Sequence, residues 1–113
     1  MRIVLLIIQS EEFRFAMREA LQEHYCVIAA HDIASGADLL QDKPDILFLD
    51  LFLPGTDGFR FMEENRNLLP PTVLLFTTLI NPQILRIASD LGVNAIFRTP
   101  CSISAVLKQL KQI

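Results

Sequence analysis

The sequence predicts an α/β domain: a five-stranded parallel sheet of the (βα)5, doubly wound kind, with helices on both faces. Three observations predict it. Short apolar runs, of the sort that form strands buried on both faces, alternate with amphipathic stretches at helical spacing, five times over. The joints carry helix punctuation: Ser10, Asp32, Asn81 and Ser102 stand where a cap is needed, and Lys43-Pro44, Pro70-Pro71 and Gly92 stand where a helix must stop. The chain has 113 residues, enough for one core and too few for two, so a single domain over residues 1–113 is expected.

The elements follow in order. Arg2 to Ile8 is the first strand. Ser10 caps the first helix, with Glu11 and Glu12 in its first turn, where acids favour the positive end of the helix dipole. Phe13, Ala16, Met17, Ala20, Leu21 and His24 share one face of it, His24 at the helix end. Tyr25 to Ala30 is the second strand, and Asp32 caps a short helix through Leu40. Asp45 to Asp50 is the third strand, followed by a helix from Gly58 to Asn67 with Phe59 and Met62 facing inward. Thr72 to Phe76 is the fourth strand, ending in Thr77-Thr78. Asn81-Pro82 opens the fourth helix, whose inner stripe is Ile84, Leu85, Ala88 and Leu91. Val93 to Phe97 is the fifth strand, and the last helix buries Ile103, Val106, Leu107 and Leu110. Right-handed crossovers and the small size point to strand order 2-1-3-4-5.

Composition narrows the function. A net charge of −3 with both signs mixed gives no footprint for direct nucleic-acid binding. No apolar run is long enough to span a membrane, and the opening MRIVLLII lacks a cleavage site, so it reads as a strand and not a signal peptide. A cytoplasmic protein is expected. Cys26 and Cys101 belong to no metal-binding pattern and read as small buried hydrophobes. The predicted order sets them on opposite edges of the sheet, about 19 Å apart, too far for a disulfide.

The chemistry concentrates in DILFLDLFLPGTDG, residues 45–58. Asp50 ends a buried strand, where open parallel sheets gather their ligands. A carboxylate there needs partners, because burying it alone is costly. Leu53-Pro54-Gly55 turns the chain and Thr56-Asp57-Gly58 opens the next helix.

With these residues in place, the whole chain resembles the receiver domain of two-component response regulators, a flavodoxin-like fold. The apolar strand, its acid and the LFLPGTDG loop are the most specific part. The resemblance implies that Asp50 is the phosphoacceptor position, Thr77 the switch hydroxyl, and Pro100 the proline after the fifth strand, where the preceding peptide is commonly cis. The departures are as informative. The family's pair of Mg²⁺-binding acids is Gln9 and Ser10 here, its lysine is Thr99, and its aromatic partner of the switch hydroxyl is Ile96. A Mg²⁺ site, if kept, would rest on Gln9, Ser10 and Asp50, with Glu11 reaching in through water, and its affinity should fall strongly with one firm carboxylate. Thr99 supplies no charge to hold a phosphoryl oxygen, and strand alternation turns Arg98 to the other side.

Two functional expectations follow from the resemblance, both within two-component or phosphorelay signal transduction. One is an atypical receiver that acts through protein contacts, with impaired Mg²⁺-dependent phosphorylation. The other is a working receiver phosphorylated on Asp50 by a histidine kinase. In either case the chain is at most a self-catalysed phosphoryl acceptor and not an enzyme acting on other molecules. Asp50 and Thr77 also have plain structural readings, a hydrogen-bonded acid at a strand end and a β-branched strand residue. The resemblance implies a histidine kinase or another signalling protein as partner. It also implies a homodimer through the face made by the fourth helix, fifth strand and fifth helix. There Leu79, Ile80, Ile87 and Phe97 would lie beside Arg86, Arg98, Lys108 and Lys111. Alternatively, Leu79 and Ile80 pack inward to fill the space beside Ile96. A small flavin- or nucleotide-binding domain shares the architecture, but QSEEF after the first strand has no glycine-rich phosphate loop. The residues show no output domain, so either a stand-alone regulator or the leading part of a longer protein is expected.

Overall fold

A computed structural model describes residues 1–113. Five parallel strands form the sheet: β1 (Ile3–Ile7), β2 (Cys26–Ala30), β3 (Ile46–Asp50), β4 (Thr72–Thr77) and β5 (Ala95–Arg98). Their order is β2-β1-β3-β4-β5, as expected. The helices are α1 (Glu11–Leu21), α2 (Ile33–Leu39), α3 (Gly58–Glu64), α4 (Pro82–Leu91) and α5 (Ile103–Leu110). A separate hairpin of Phe52–Leu53 and Thr56–Asp57 forms the loop after β3, turning at Gly55, whose φ of 77° is open to glycine.

Strand alternation divides the core in two. Leu5, Ile7, Leu47, Leu49, Val73 and Leu75 point to the side covered by α2, α3 and α4. Val4, Leu6, Ile46, Phe48, Leu74 and Phe76 point to the side covered by α1 and α5. The three central strands are buried on both faces, which is why their sequences lack polar alternation. On the second side Phe76 gathers three rings: Phe97 stacked at 5.3 Å, Phe48 at 5.4 Å and Phe13 edge-on at 5.7 Å.

The predicted caps form. Ser10 Oγ accepts the Phe13 N–H (3.2 Å), Asp32 Oδ1 that of Ser35 (2.9 Å), Asp57 Oδ1 that of Arg60 (2.9 Å), Asn81 Oδ1 that of Ile84 (2.9 Å) and Ser102 Oγ that of Ala105 (3.2 Å). Gly92, with φ 85°, ends α4. Two side chains pin the amino ends of the strands: Asp45 Oδ2 accepts the Ile3 N–H at 2.7 Å, and Asn94 Oδ1 accepts that of Val73 at 2.7 Å.

Some expectations need correction. Helix α3 stops at Glu64 instead of Asn67: Asn65 leaves the helical region (φ −117°, ψ 25°), its side chain adding a second bond to the Phe61 carbonyl (2.9 Å), and Arg66–Leu68 continue as a tighter 3-10 turn. Leu85 does not join the inner stripe of α4 but is 49 % exposed; one stripe of a ten-residue helix is filled by Ile84, Ala88 and Leu91. Cys26 is exposed, not buried, because it opens the edge strand β2. Cys101 is half-buried, both thiols are free, and the strands beside them lie at opposite edges.

Candidate functional site at the carboxyl ends of the strands

The strand order places β3 between β1 and β4, so the chain leaving each of them passes Asp50. Gln9 follows β1, Thr77 ends β4, and Thr99 follows β5. Backbone bonds hold this rim together: Leu51 N–H to Phe76 O at 2.8 Å and Thr99 N–H to Thr77 O at 2.9 Å. Asp50 has the parity of Phe48 and so points to the α1/α5 side.

There Asp50 Oδ2 accepts the backbone N–H of Gln9 at 2.9 Å, while Oδ1 accepts nothing from the protein. Burial pushes the carboxyl above the ordinary carboxylate value, and the Gln9 N–H draws it partly back. The residue after it is held by Gly58, whose N–H donates to Leu51 O at 2.6 Å. A Cβ at Gly58 would lie 2.7 Å from the Asp50 carbonyl oxygen, so only glycine lets α3 start this close to the acid.

A cleft of about 440 Å³ opens beside Asp50, lined also by Ser10, Glu12, Phe13, Thr78, Thr99 and Pro100. A second hollow of about 100 Å³ joins Asp50 to Phe52, Thr77, Thr78 and Thr99. The structure therefore brings Asp50, Ser10 and Thr99 to one cleft, with Gln9 at its edge through a backbone bond. Thr77 borders only the smaller hollow. It is 3 % exposed, and its hydroxyl is bound locally, accepting the Leu79 N–H and donating to Leu79 O, each at 3.1 Å. The Thr99–Pro100 peptide is cis, as the resemblance implied.

Three neighbours escaped the sequence reading. Glu12, not Glu11, lines the cleft. Glu11 lies with Arg14, Phe15 and Arg18 on another face of α1, sharing the outward side of Phe15 four residues on. The same spacing could have found Glu12, whose partner four residues on is the half-buried Ala16. Thr78 was legible only as a strand end, yet it lines both hollows. Arg14 donates to Ile8 O at 2.7 Å and Gln9 O at 3.4 Å, bracing the end of β1; no pattern in the sequence signals that bond.

Leu79 and Leu85 are exposed, but Ile87, expected on the face of α4, β5 and α5, is exposed on the opposite flank of α4, where it lines a hollow with Asp57, Phe59, Arg60 and Glu63 beside α3. Phe97, also expected on the face of α4, β5 and α5, stacks on Phe76 instead because its parity turns it toward α1 and α5. Leu79 does not fill the space beside Ile96; Ile96 packs among the residues covered by α2 to α4.

The family model described as the response regulator receiver domain matches residues 4–111. The chain belongs to this family. As a receiver domain of two-component response regulators, it is 32 % identical over 78 residues to the transcriptional regulatory protein CpxR of Escherichia coli K12. That stretch is 68 % of this chain and 34 % of the relative, so the chain matches about a third of that protein's length. Solved structures share the receiver fold. Chemotaxis protein CheY4 of Vibrio cholerae superposes with a TM-score of 0.85 at 23 % identity, covering 100 % of this chain and 98 % of that one. A CheY-like receiver domain protein of Methanospirillum hungatei gives 0.89 at 17 % identity, covering 99 % and 92 %. No helix of this receiver domain is long and apolar enough to cross a membrane.

Proposed function

We propose that this receiver domain signals through contacts with partner proteins, and that Mg²⁺-dependent phosphorylation at Asp50 is impaired. The donor set around Asp50 carries the reading. Mg²⁺ takes oxygen ligands in strict geometry and is usually held by one or two carboxylates with water and phosphate oxygens. Here Gln9 and Ser10 stand in the acidic positions, and Ser10 Oγ is already occupied in capping α1. No group of three His, Cys, Asp or Glu side chains is placed to hold a metal ion. Glu12 lines the same cleft as Asp50, so the oxygens that remain offer Mg²⁺ a weak site at best. Thr99 offers a hydroxyl where phosphoryl transfer calls for positive charge, and Thr77 has its hydroxyl engaged with Leu79.

The partner is a histidine kinase or another signalling protein, and the domain itself does not bind nucleic acid. The docking face, for such a partner or for a second copy, is that of α4, β5 and α5, with Leu79 and Leu85 as its exposed apolar residues and Arg86, Arg98, Lys108 and Lys111 as its cations. Sedimentation equilibrium is expected to show a concentration-dependent dimer that Leu85→Glu abolishes.

Mass spectrometry after incubation with acetyl phosphate tests the phosphorylation reading, with and without Mg²⁺ and beside Asp50→Asn. The expected result is no metal-dependent adduct. An adduct that needs Mg²⁺ and is absent from Asp50→Asn would instead establish a working phosphoacceptor, the reading supported by the open cleft at Asp50 Oδ1.

A further inference from the structure

We infer that the cleft beside Asp50 binds a small organic cation, an ammonium group carried on an apolar body of about one ring. The inference rests on the reading that Asp50 holds Mg²⁺ weakly at best, and it names a cation better suited to the cleft.

Charge is the first argument. Asp50 and Glu12 both line the cleft, and no Lys, Arg or His does. The positive end of α1 is already offset by Glu11 and Glu12 in its first turn, and the Ser10 cap takes up the Phe13 N–H. An anion meets two carboxylates and no cation; a cation meets the reverse.

Hydrogen bonding is the second. A primary ammonium carries three donors and no acceptor. The cleft presents the unengaged Oδ1 of Asp50 with the hydroxyls of Thr78 and Thr99, from three different strand ends. A half-buried carboxylate has lost part of its hydration, and a charge-assisted bond is the contact that offsets the loss.

Shape is the third. Phe13 and Pro100 give the cleft apolar walls. The Phe13 ring is set edge-on against Phe76 at 5.7 Å, which holds it in place as a surface for a cation or a second ring. A volume of about 440 Å³ is at the small end of ligand sites. A bare metal ion would leave these walls unused. A ligand spanning from Phe13 to Thr99-Pro100 also joins α1 to the loop that leads into α5, so its binding reaches the proposed docking face.

Titration of the uniformly ¹⁵N-labelled protein with benzylamine, followed by amide shifts, tests the inference. The expected result is saturable shifts at Gln9, Thr78, Thr99 and Cys101. Benzyl alcohol and benzoate should bind about tenfold more weakly or not at all. Asp50→Asn keeps the side-chain shape and should weaken benzylamine about tenfold, and Phe13→Leu about threefold. The inference is overturned by equal binding of benzyl alcohol, by shifts scattered over the surface, by the absence of saturable shifts, or by an Asp50→Asn variant that binds as well as the natural chain. Acetyl phosphate labelling separates the two failures. No amine binding without metal-dependent labelling removes this inference alone; no amine binding with such labelling removes the proposed function as well.

Discussion

Asp45 and Asp50 bracket the same strand, and each accepts one backbone N–H from the chain around β1. Asp45 Oδ2 takes that of Ile3 at 2.7 Å, and Asp50 Oδ2 takes that of Gln9 at 2.9 Å. The contacts are near copies, yet the two ends of β3 differ in what surrounds them. At the amino end the acid ties one strand start to another and borders neither of the hollows beside Asp50. At the carboxyl end the parallel strands fan out under loops, and Asp50 faces two hollows with one oxygen unengaged. A hydrogen bond to the backbone thus makes one acid a fastener and leaves the other available for chemistry. The deciding factor is the open rim that a parallel sheet leaves at its carboxyl edge.

The strongest way to break the comparison is to rebuild the second end. Gln9→Asp, Ser10→Asp and Thr99→Lys together restore two acids and a cation around Asp50, and Asp at position 10 still caps α1. Mg²⁺-dependent labelling by acetyl phosphate should rise about a hundredfold or more over the natural chain, measured by mass spectrometry. An unchanged rate would show that the lost charges are not what limits the site.

Removing each acid in turn sharpens the contrast. Asp45→Ala leaves the Ile3 N–H without its partner and should cost about 2 kcal/mol in urea unfolding. Asp50→Ala should cost clearly less, since it also relieves a carboxylate that burial disfavours. Equal losses would mean that both acids are fasteners.

Gly58→Ala tests how closely α3 must approach. The added Cβ meets the Asp50 carbonyl oxygen at 2.7 Å, so the backbone has to shift, at about 1–3 kcal/mol. The Gln9 amide resonance should move with it. Stability lost with that resonance unmoved would place the strain elsewhere.

The smallest effect is on pH dependence. The folded Asp50 holds its proton above the ordinary value of 3.8, so its contribution to stability is complete in acid and is lost as the pH rises through the raised value. Asp50→Asn should remove that decline and leave the variant slightly more stable than the natural chain at neutral pH, as read from Tm against pH. A parallel pair of curves would show that Asp50 is not desolvated.

The sequence by itself determined the elements and their order. Apolar runs such as Val4–Ile8 and Ile46–Leu49 have no polar side to turn to water, so they had to be central strands. Ser10, Asp32, Asn81 and Ser102 could be read as caps because capping is local, reaching only three residues ahead. Asp50 was legible because a carboxylate at the end of a buried apolar strand is costly unless partners or chemistry await it there. Gln9, Ser10 and Thr99 were legible because the family pattern fixes where to look. Only the tertiary structure decided what depends on facing. It placed Glu12 and not Glu11 in the cleft, turned Phe97 inward and Leu85 outward, and closed the Thr77 hydroxyl on Leu79. Each choice turns on which side of a helix or strand meets a neighbour distant in the chain. A one-residue difference in facing leaves composition and pattern almost unchanged while reversing what the side chain can touch.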